Sequence, residues 1–379
     1  MNTATNEALI GQDGSRLDLS TPALVIDMPT FKSNLRSGQD IIANNGVGLR
    51  PHIKAHRCLE IAKLQMKLGA KGISCATLEE AEALAAGEIT KLLITKPVTE
   101  PAEIERLGQL NNKLEDLMVV VESIDQLEGL KTAARAVSKK FRLLIEVDIE
   151  GKGSGVSTIE EGLALTKAIA EAPELRFFGL QGYSHAVQHI AKTTERRKAS
   201  HAQIKLLKDL KKAIKDQKIP VRVTSGSATG THLIDMEAAT YNDIQLGSYC
   251  FMDAAYQAIH LKLWGKIPYH PALFIYTRVI EGGDAGTVKL DAGSKSLPAD
   301  AGAPTVHSGA PSDSRYEALD EDSGQLVLPE GAEAPEVGSL VALTAPSCAA
   351  TVALYDQFHC VRDDKLAAIW QISVTGSKA

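Results

Sequence analysis

The sequence predicts an α/β protein: a (β/α)8 TIM-type barrel followed by a mostly antiparallel β domain. Three observations carry this. Between positions 20 and 261, short apolar runs alternate with amphipathic stretches, the texture of βαβ units and a parallel sheet. About eight such units fill this span, which matches the ~250 residues of a closed barrel. From residue 262 the chain turns into β runs with no long helix between them.

Taken in order, Pro22–Asp27 reads as a strand and Phe31–Asn44 as a helix stopped by Asn45-Gly46. Val47–Pro51 is a short strand followed by a helix over Cys58–Leu68. Strand–helix pairs continue with Gly72–Cys75 and Leu78–Ala86, Lys91–Thr95 and Pro101–Leu107, then Leu117–Glu122 and Ile124–Val137. Phe141–Asp148 leads to Thr158–Glu171, and Phe177–Tyr183 to Thr194–Asp216. Val221–Thr224 and Asp243–Gly247 are the last two strands of this kind. An open doubly wound sheet is the alternative, but no G-x-G-x-x-G follows the first strand and the unit count suits a barrel. Beyond it, Pro268–Ile280, Thr287–Asp291, Gly338–Leu343, Thr351–Tyr355 and Ala367–Val374 read as β runs, and Gly293–Pro335 as loops. The expected division is therefore a barrel over 20–261 and a β domain formed by 1–19 with 262–379.

Composition bounds the function. The 41 Lys and Arg against 47 Asp and Glu leave a net charge of −6, so no global positive field draws the chain to nucleic acid or anionic lipid. No apolar run reaches the ~18 residues of a membrane span, and the polar start is no signal peptide. Five cysteines, an odd number with no C-x-x-C pair, point to reduced thiols and a cytoplasmic protein.

Barrel chemistry sits at the C-terminal ends of strands and in the loops that follow. Four places qualify. The segment Arg50-Pro51-His52-Ile53-Lys54-Ala55-His56-Arg57 leaves the second strand; a solvated basic turn is the plain reading, and a lysine nucleophile kept reactive by positive neighbours the chemical one. Thr224–Thr231 runs from a strand into small and hydroxyl residues, either a flexible loop or a phosphate cradle. Gln245–Tyr249 is a second small-residue loop at the next strand end, where barrel phosphate sites are often built. Gln181–His189 carries two histidines, His185 and His189, at a strand end; packed or surface residues are the plain reading and general acid–base work the chemical one. A lysine, a phosphate cradle and acid–base groups in one mouth fit pyridoxal 5'-phosphate, whose aldehyde needs the first and whose phosphate needs the second.

The stretch RPHIKAHR resembles the pyridoxal-lysine motif of the D-threonine aldolase and 3-hydroxy-D-aspartate aldolase family, which shares its fold with bacterial alanine racemase. STPALVID, QGYSHAVQH, SGSATG, YNDIQLGSYCFMD, LDAGSK and TVALYD follow in the family's order, so the likeness spans nearly the whole chain. The resemblance implies that Lys54 is the Schiff-base lysine and that Tyr183 lies near the cofactor ring. Ser225, Gly226, Ser227 and Thr229, with Gly247, Ser248 and Tyr249, would hold the phosphate. His189, with His185 beside it, would take the proton of the substrate's β-hydroxyl. The implied activity is cleavage of a D-3-hydroxy amino acid to glycine and an aldehyde; racemisation, dehydration, or cofactor binding with little activity are the alternatives. It also implies a homodimer with no partner beyond its small amino-acid substrate.

Three positions depart from the family pattern. Its His-Cys-Asp metal segment aligns with Ser347-Cys348-Ala349, and neither flanking residue suits a divalent cation. No metal site is therefore expected; Cys348, His359 and Cys360 are the one rearranged set that could bind a soft metal, and ordinary β-domain residues are the simpler reading. A family turn carrying an arginine near the cofactor has Gly153 in its place, beside Lys152. The family's triple-glycine loop reads Gly226-Ser227-Ala228.

Overall fold

The computed structural model describes residues 6–259, 261–263, 265–282 and 286–375. It divides into two compact units, one built on residues 39–54 and 59–247, the other on the chain up to residue 38 with 55–58 and 248–373. The expected boundaries at 20 and 261 thus move to about 39 and 247, because the first strand belongs elsewhere. That strand, β1 (Ala23–Asp27), is buried along its length and pairs in the second unit's sheet. Its even apolar content suits a barrel strand equally well.

The barrel unit holds eight parallel strands in the order β2-β9-β8-β7-β6-β5-β4-β3. These are β2 (Gly48–Pro51), β3 (Ile73–Cys75), β4 (Lys91–Ile94), β5 (Asp116–Val121), β6 (Phe141–Glu146), β7 (Leu175–Gly182), β8 (Val223–Gly226) and β9 (Asp243–Leu246). A single parallel bridge between His52 and Ser74 joins the two edge strands and closes the ring. After α1 (Met28–Asn44), the connecting helices are α2 (Leu59–Lys67), α3 (Leu78–Ala86), α4 (Pro101–Lys113), α5 (Leu127–Val137), α6 (Ile159–Glu171), α7 (Thr193–Asp216) and α8 (His232–Glu237). Local signals start several of them. Thr77 and Glu80 form a capping box at α3, and Thr158 caps α6 through the Glu161 N–H.

The barrel interior is layered. Leu93, Met118, Val120 and Leu144 form an apolar plug, with Phe178 and Val223 against it. On the C-terminal side of the plug, the Gln245 amide donates to Gln181 Oε1 at 3.0 Å. β7 and β9 are not neighbours in the sheet, so these two amides can meet only across the interior. On the N-terminal side, Arg50 is paired with Asp243.

The second unit is a nine-stranded sheet in the order β11-β14-β13-β12-β15-β10-β1-β16-β17, with β10 also pairing β11. Its further members are β10 (Leu273–Gly282), β11 (Thr287–Leu290), β12 (Thr305–Ser308), β13 (Arg315–Ala318), β14 (Gly324–Val327), β15 (Leu340–Thr344), β16 (Gln357–Arg362) and β17 (Lys365–Gln371). The extra pairing closes β10 to β15 into a small antiparallel barrel, and only β1 with β16 runs parallel. Leu19, Ala23, Val25, Phe274, Tyr276, Ala342, Val361 and Leu366 form its core.

Two sequence expectations change in this unit. Gly293–Pro335 reads as loops, yet it supplies β12, β13 and β14. These strands are four residues long, and Val306 and Tyr316 are the single buried residues of β12 and β13, too little apolar pattern to stand out. Thr351–Tyr355 reads as a strand, but a short helix, α10 (Cys348–Val352), ends there after α9 (Ala254–Ala258). Burial of Cys348, Thr351 and Val352 on one side of the turn overrides the β preference of Thr and Val. No helix among the described residues is long and apolar enough to cross a membrane.

Candidate active site

The site is built at the C-terminal mouth of the barrel. β2 ends at Pro51, and a one-turn 3-10 helix, Ile53–Ala55, turns Lys54 out of it. His52 fixes that turn: its Nδ1 accepts the Lys54 N–H at 3.2 Å, while Nε2 lies 3.4 Å from Thr95 Oγ1. The two contacts together assign a neutral ring protonated on Nε2.

Lys54 Nζ then donates to Tyr183 Oη at 3.4 Å and lies 4.7 Å from the centre of that ring. Tyr183 Oη also accepts from Gln188 Nε2 at 3.3 Å, and the same amide nitrogen sits 3.4 Å from His185 Nδ1. The His185 and His189 rings meet edge to face at 5.5 Å. Lys54, Tyr183, His185 and His189, proposed from sequence, are therefore linked, and Gln188 is the link that sequence reasoning missed. Burial, with the nearby His185 charge second, holds the His189 imidazole below its ordinary pKa, so it is neutral at pH 7 and able to accept a proton.

The histidine segment is clamped from the β6–α6 loop. Glu150 Oε1 accepts from Ser184 Oγ at 2.8 Å and from the N–H groups of His185 at 2.6 Å and Ala186 at 2.9 Å. Lys152 Nζ lies 2.8 Å from Oε2. Partial burial would raise this carboxyl, but Lys152, the two N–H groups and Ser184 outweigh it and bring its pKa down to about 2. Glu150 lies in the turn where the family pattern has an arginine and this chain has Gly153.

Beneath the mouth, Gln181 Nε2 donates to Glu146 Oε2 at 2.5 Å and to the Thr95 carbonyl at 3.0 Å. Burial pushes the Glu146 carboxyl up to about 8; the Gln181 bond opposes this, and the charges of Glu122 and Asp148 add to it. Glu146 thus keeps its proton to a higher pH than an ordinary carboxyl. Gln245 Nε2 continues to Ser225 Oγ at 3.0 Å, Ser225 Oγ donates to Asp243 Oδ1 at 2.6 Å, and Asp243 holds Arg50.

The loop after β8 is the candidate cradle. Ser227 through Gly230 are buried, and among the described residues no group accepts from their four successive backbone N–H groups. Buried N–H groups without partners are rare in folded proteins, and a run of them is an anion site in waiting. The glycines are there for close approach. A Cβ at Gly226 would lie 2.0 Å from the Gly182 carbonyl, and one at Gly230 2.1 Å from the Gln188 carbonyl. The hydroxyls play another part: Ser225 donates to Asp243 and Ser227 to Asp235, so neither side-chain proton is left for a phosphate. With Lys54 beside Tyr183, the donors fit a phosphate-bearing aldehyde such as pyridoxal 5'-phosphate.

Gly247 closes the barrel unit, whereas Ser248 and Tyr249 fall in the β unit. Tyr249 there is a core residue, its ring 5.9 Å from that of Tyr269 and directly over Gly38.

The candidate metal donors all belong to the β unit. Cys348 is fully buried; its N–H donates to Asp253 at 2.8 Å, and burial first, then the Asp253 charge, holds its thiol well above the usual range. His359 Nδ1 faces the Leu24 carbonyl at 3.3 Å, and its Nε2 faces the Asn6 and Gln357 amides at 2.9 and 3.3 Å. Both its nitrogens are spent in the sheet. A protonated thiol flanked by Ser347 and Ala349 does not fit a hard cation. Among the described residues no three His, Cys, Asp or Glu side chains are placed to share a metal.

Comparison with known proteins identifies the family and the fold. The alanine racemase N-terminal domain model matches residues 26–255, and the putative serine dehydratase domain model matches 272–361. A D-threonine aldolase of Arthrobacter sp is 33% identical over 97% of this chain and 95% of its own. A 3-hydroxy-D-aspartate aldolase of Paracoccus denitrificans is 31% identical at the same coverage. The crystal structure of a D-threonine aldolase from Filomicrobium marinum superposes with a TM-score of 0.89 at 31% identity, over 94% of this chain and 96% of that one. With its lysine turn, histidine segment and phosphate-type loop in the barrel mouth, the chain belongs to the alanine racemase-like family that includes the D-threonine and 3-hydroxy-D-aspartate aldolases.

Proposed function

We propose that this chain is a pyridoxal-phosphate-dependent lyase that cleaves D-3-hydroxy amino acids, of the D-threonine or 3-hydroxy-D-aspartate type, to glycine and an aldehyde. The observation that carries this reading is the line Lys54–Tyr183–Gln188–His185–His189 in the same mouth as four unpartnered buried N–H groups. When bound, the cofactor supplies an electron sink for the pair released from the substrate's Cα–Cβ bond.

The chain's own residues do the rest. Lys54 holds the cofactor aldehyde, and the N–H groups of 227–230 hold the phosphate. Tyr183, fixed by Gln188, sets the position of Lys54 Nζ. His189, neutral and partly desolvated, takes the β-hydroxyl proton as the carbonyl forms, and the glycine carbon regains a proton at the end of the turnover. No step is assigned to a metal, because the donor set at 347–349 does not support one. We further propose a cytoplasmic homodimer.

Dehydration on the same scaffold is the second reading, favoured by the match of residues 272–361 to a putative serine dehydratase domain. The two differ in products. Purified protein loaded with pyridoxal 5'-phosphate should release glycine with acetaldehyde from D-threonine, or glycine with glyoxylate from 3-hydroxy-D-aspartate, and leave the L-isomers untouched. Ammonia and a 2-oxo acid with no glycine would establish the dehydratase reading instead.

A further inference from the structure

The loop that carries the four free N–H groups is held by a carboxylate that does not reach the mouth itself. Asp235, on α8, is 2% exposed. Its Oδ1 accepts from Ser200 Oγ of α7 at 2.6 Å, and its Oδ2 from Ser227 Oγ at 2.6 Å and Thr231 Oγ1 at 2.7 Å. Ser227 sits at φ +76°, a left-handed conformation that side chains other than glycine's resist. The family pattern has a glycine at this position, so serine needs something to hold it. The bond to Asp235 does so. On the far side of the loop, His232 Nδ1 lies 2.9 Å from the Thr229 carbonyl, which fixes the peptide next to the free N–H groups.

We propose that Asp235 is the positioning residue of the phosphate subsite: by anchoring Ser227 and Thr231 from below, it keeps the N–H groups of 227–230 turned away from internal acceptors and available to a phosphate. This rests on the cofactor reading above and adds the residue that sets its phosphate selectivity. The carboxylate suits the task because it offers acceptors only, and all three hydroxyl protons are used up on it. An asparagine at 235 would replace one of those acceptor oxygens by an N–H2 donor. At least one of the three hydroxyls would then lose its partner, and the left-handed Ser227 its restraint.

The test compares pyridoxal 5'-phosphate with pyridoxal, which keeps the aldehyde and ring but lacks the phosphate. Both are titrated into the full chain, with binding read by the visible absorbance of the lysine-bound form. Wild type should prefer the phosphorylated compound, with inorganic phosphate lowering its apparent affinity by competition. Asp235→Asn should weaken pyridoxal 5'-phosphate by about 10- to 100-fold, the range for one lost hydrogen bond to a charged group. Its pyridoxal affinity should stay within about 2-fold, the margin of an unchanged site. A purely structural role for Asp235 would weaken both compounds alike, and that result, or no change in either, overturns the proposal. If Asp235→Asn does not fold, Ser227→Ala carries the test, with a smaller loss confined to the phosphorylated compound; equal loss for both overturns the proposal as well. Wild type that reacts with neither compound at Lys54 would instead defeat the cofactor reading, and with it the positioning role of Asp235.

Discussion

Asp243→Asn should destabilise the barrel more than any single change at its mouth. The Arg50 Nε stands 3.0 Å from both Asp243 oxygens, its Nη2 3.0 Å from Oδ2, and the two side chains are 5% and 6% exposed. Ser225 Oγ is a further donor, at 2.6 Å. Asparagine keeps the shape but removes the charge, and turns an N–H2 toward either the guanidinium or the Ser225 hydroxyl. Breaking a buried pair from one side costs about 3–5 kcal/mol, because the remaining charge is left desolvated and unpaired. At roughly 2–4 °C per kcal/mol for a domain of this size, the melting temperature should fall by about 10 °C. Thermal unfolding followed by circular dichroism measures Asp243→Asn, and Arg50→Met, Asp243→Leu and the two together form a double-mutant cycle. The double variant should cost less than the two single changes together by about 2 kcal/mol or more, since neither charge is then left alone. A melting temperature for Asp243→Asn within about 2 °C of wild type, or strict additivity in the cycle, would refute the argument.

Other predictions concern the chemistry and its pH dependence. Lys54→Ala should lose the visible absorbance of the lysine-bound cofactor and all turnover; an adduct that borohydride still traps in this variant would place the reactive amine elsewhere. His189→Ala should lower kcat/KM by about 10²–10⁴-fold. Because burial holds the His189 pKa low, the wild-type rate should stay level as pH falls through 6.5 and drop only at lower pH, and a rate already halved near pH 7 would contradict its role. Buried His232 has a pKa lowered to about 4 by burial, only partly opposed by the Thr229 carbonyl. Its folded pKa is depressed, so its contribution is complete above 6.5 and is lost as pH falls from there toward 4, about 3 kcal/mol in all. His232→Gln should flatten the stability curve across that window, and a slope equal to wild type would exclude His232 as its source. Activity on D-threonine should be unaffected by exhaustive chelation; loss on chelation with recovery on added Mn²⁺ would show that donors other than Ser347 and Ala349 have built a metal site.

The barrel was legible because its strands, though short, are bounded by amphipathic helices, and periodicity is a local signal. The site was legible for the same kind of reason: Lys54, Tyr183, His185, His189 and the 225–230 loop each lie directly after an apolar strand run. The residues that hold them were not. Gln188 joins Tyr183 to His185, Glu150 clamps the histidine segment from another loop, and Asp235 and Asp243 sit 8 and 18 residues from the serines they bind. Nothing local marks such residues as other than polar surface positions, and burial becomes visible only once the strands are side by side. The same blindness misplaced Pro22–Asp27. Its apolar run fits any buried strand, and the partners that decide its sheet, β10 and β16, lie some 250 and 330 residues further along the chain.

The departures from the family pattern fall into two kinds. At the phosphate loop, serine replaces a glycine at 227, and Asp235 stands within hydrogen-bond reach to hold it. In the β6–α6 turn the arginine is absent, and Glu150 with Lys152 ties that turn to the histidine segment instead. Both segments are thus tied by hydrogen bonds within the barrel unit. At 347–349 no group among the described residues stands in for the missing donors: the Cys348 N–H is bound to Asp253, Ala349 offers no donor, and the ring nitrogens of His359 face Asn6 and the Leu24 carbonyl. On the proposed lyase reading, removal of the β-hydroxyl proton rests on His189, whose imidazole burial keeps neutral.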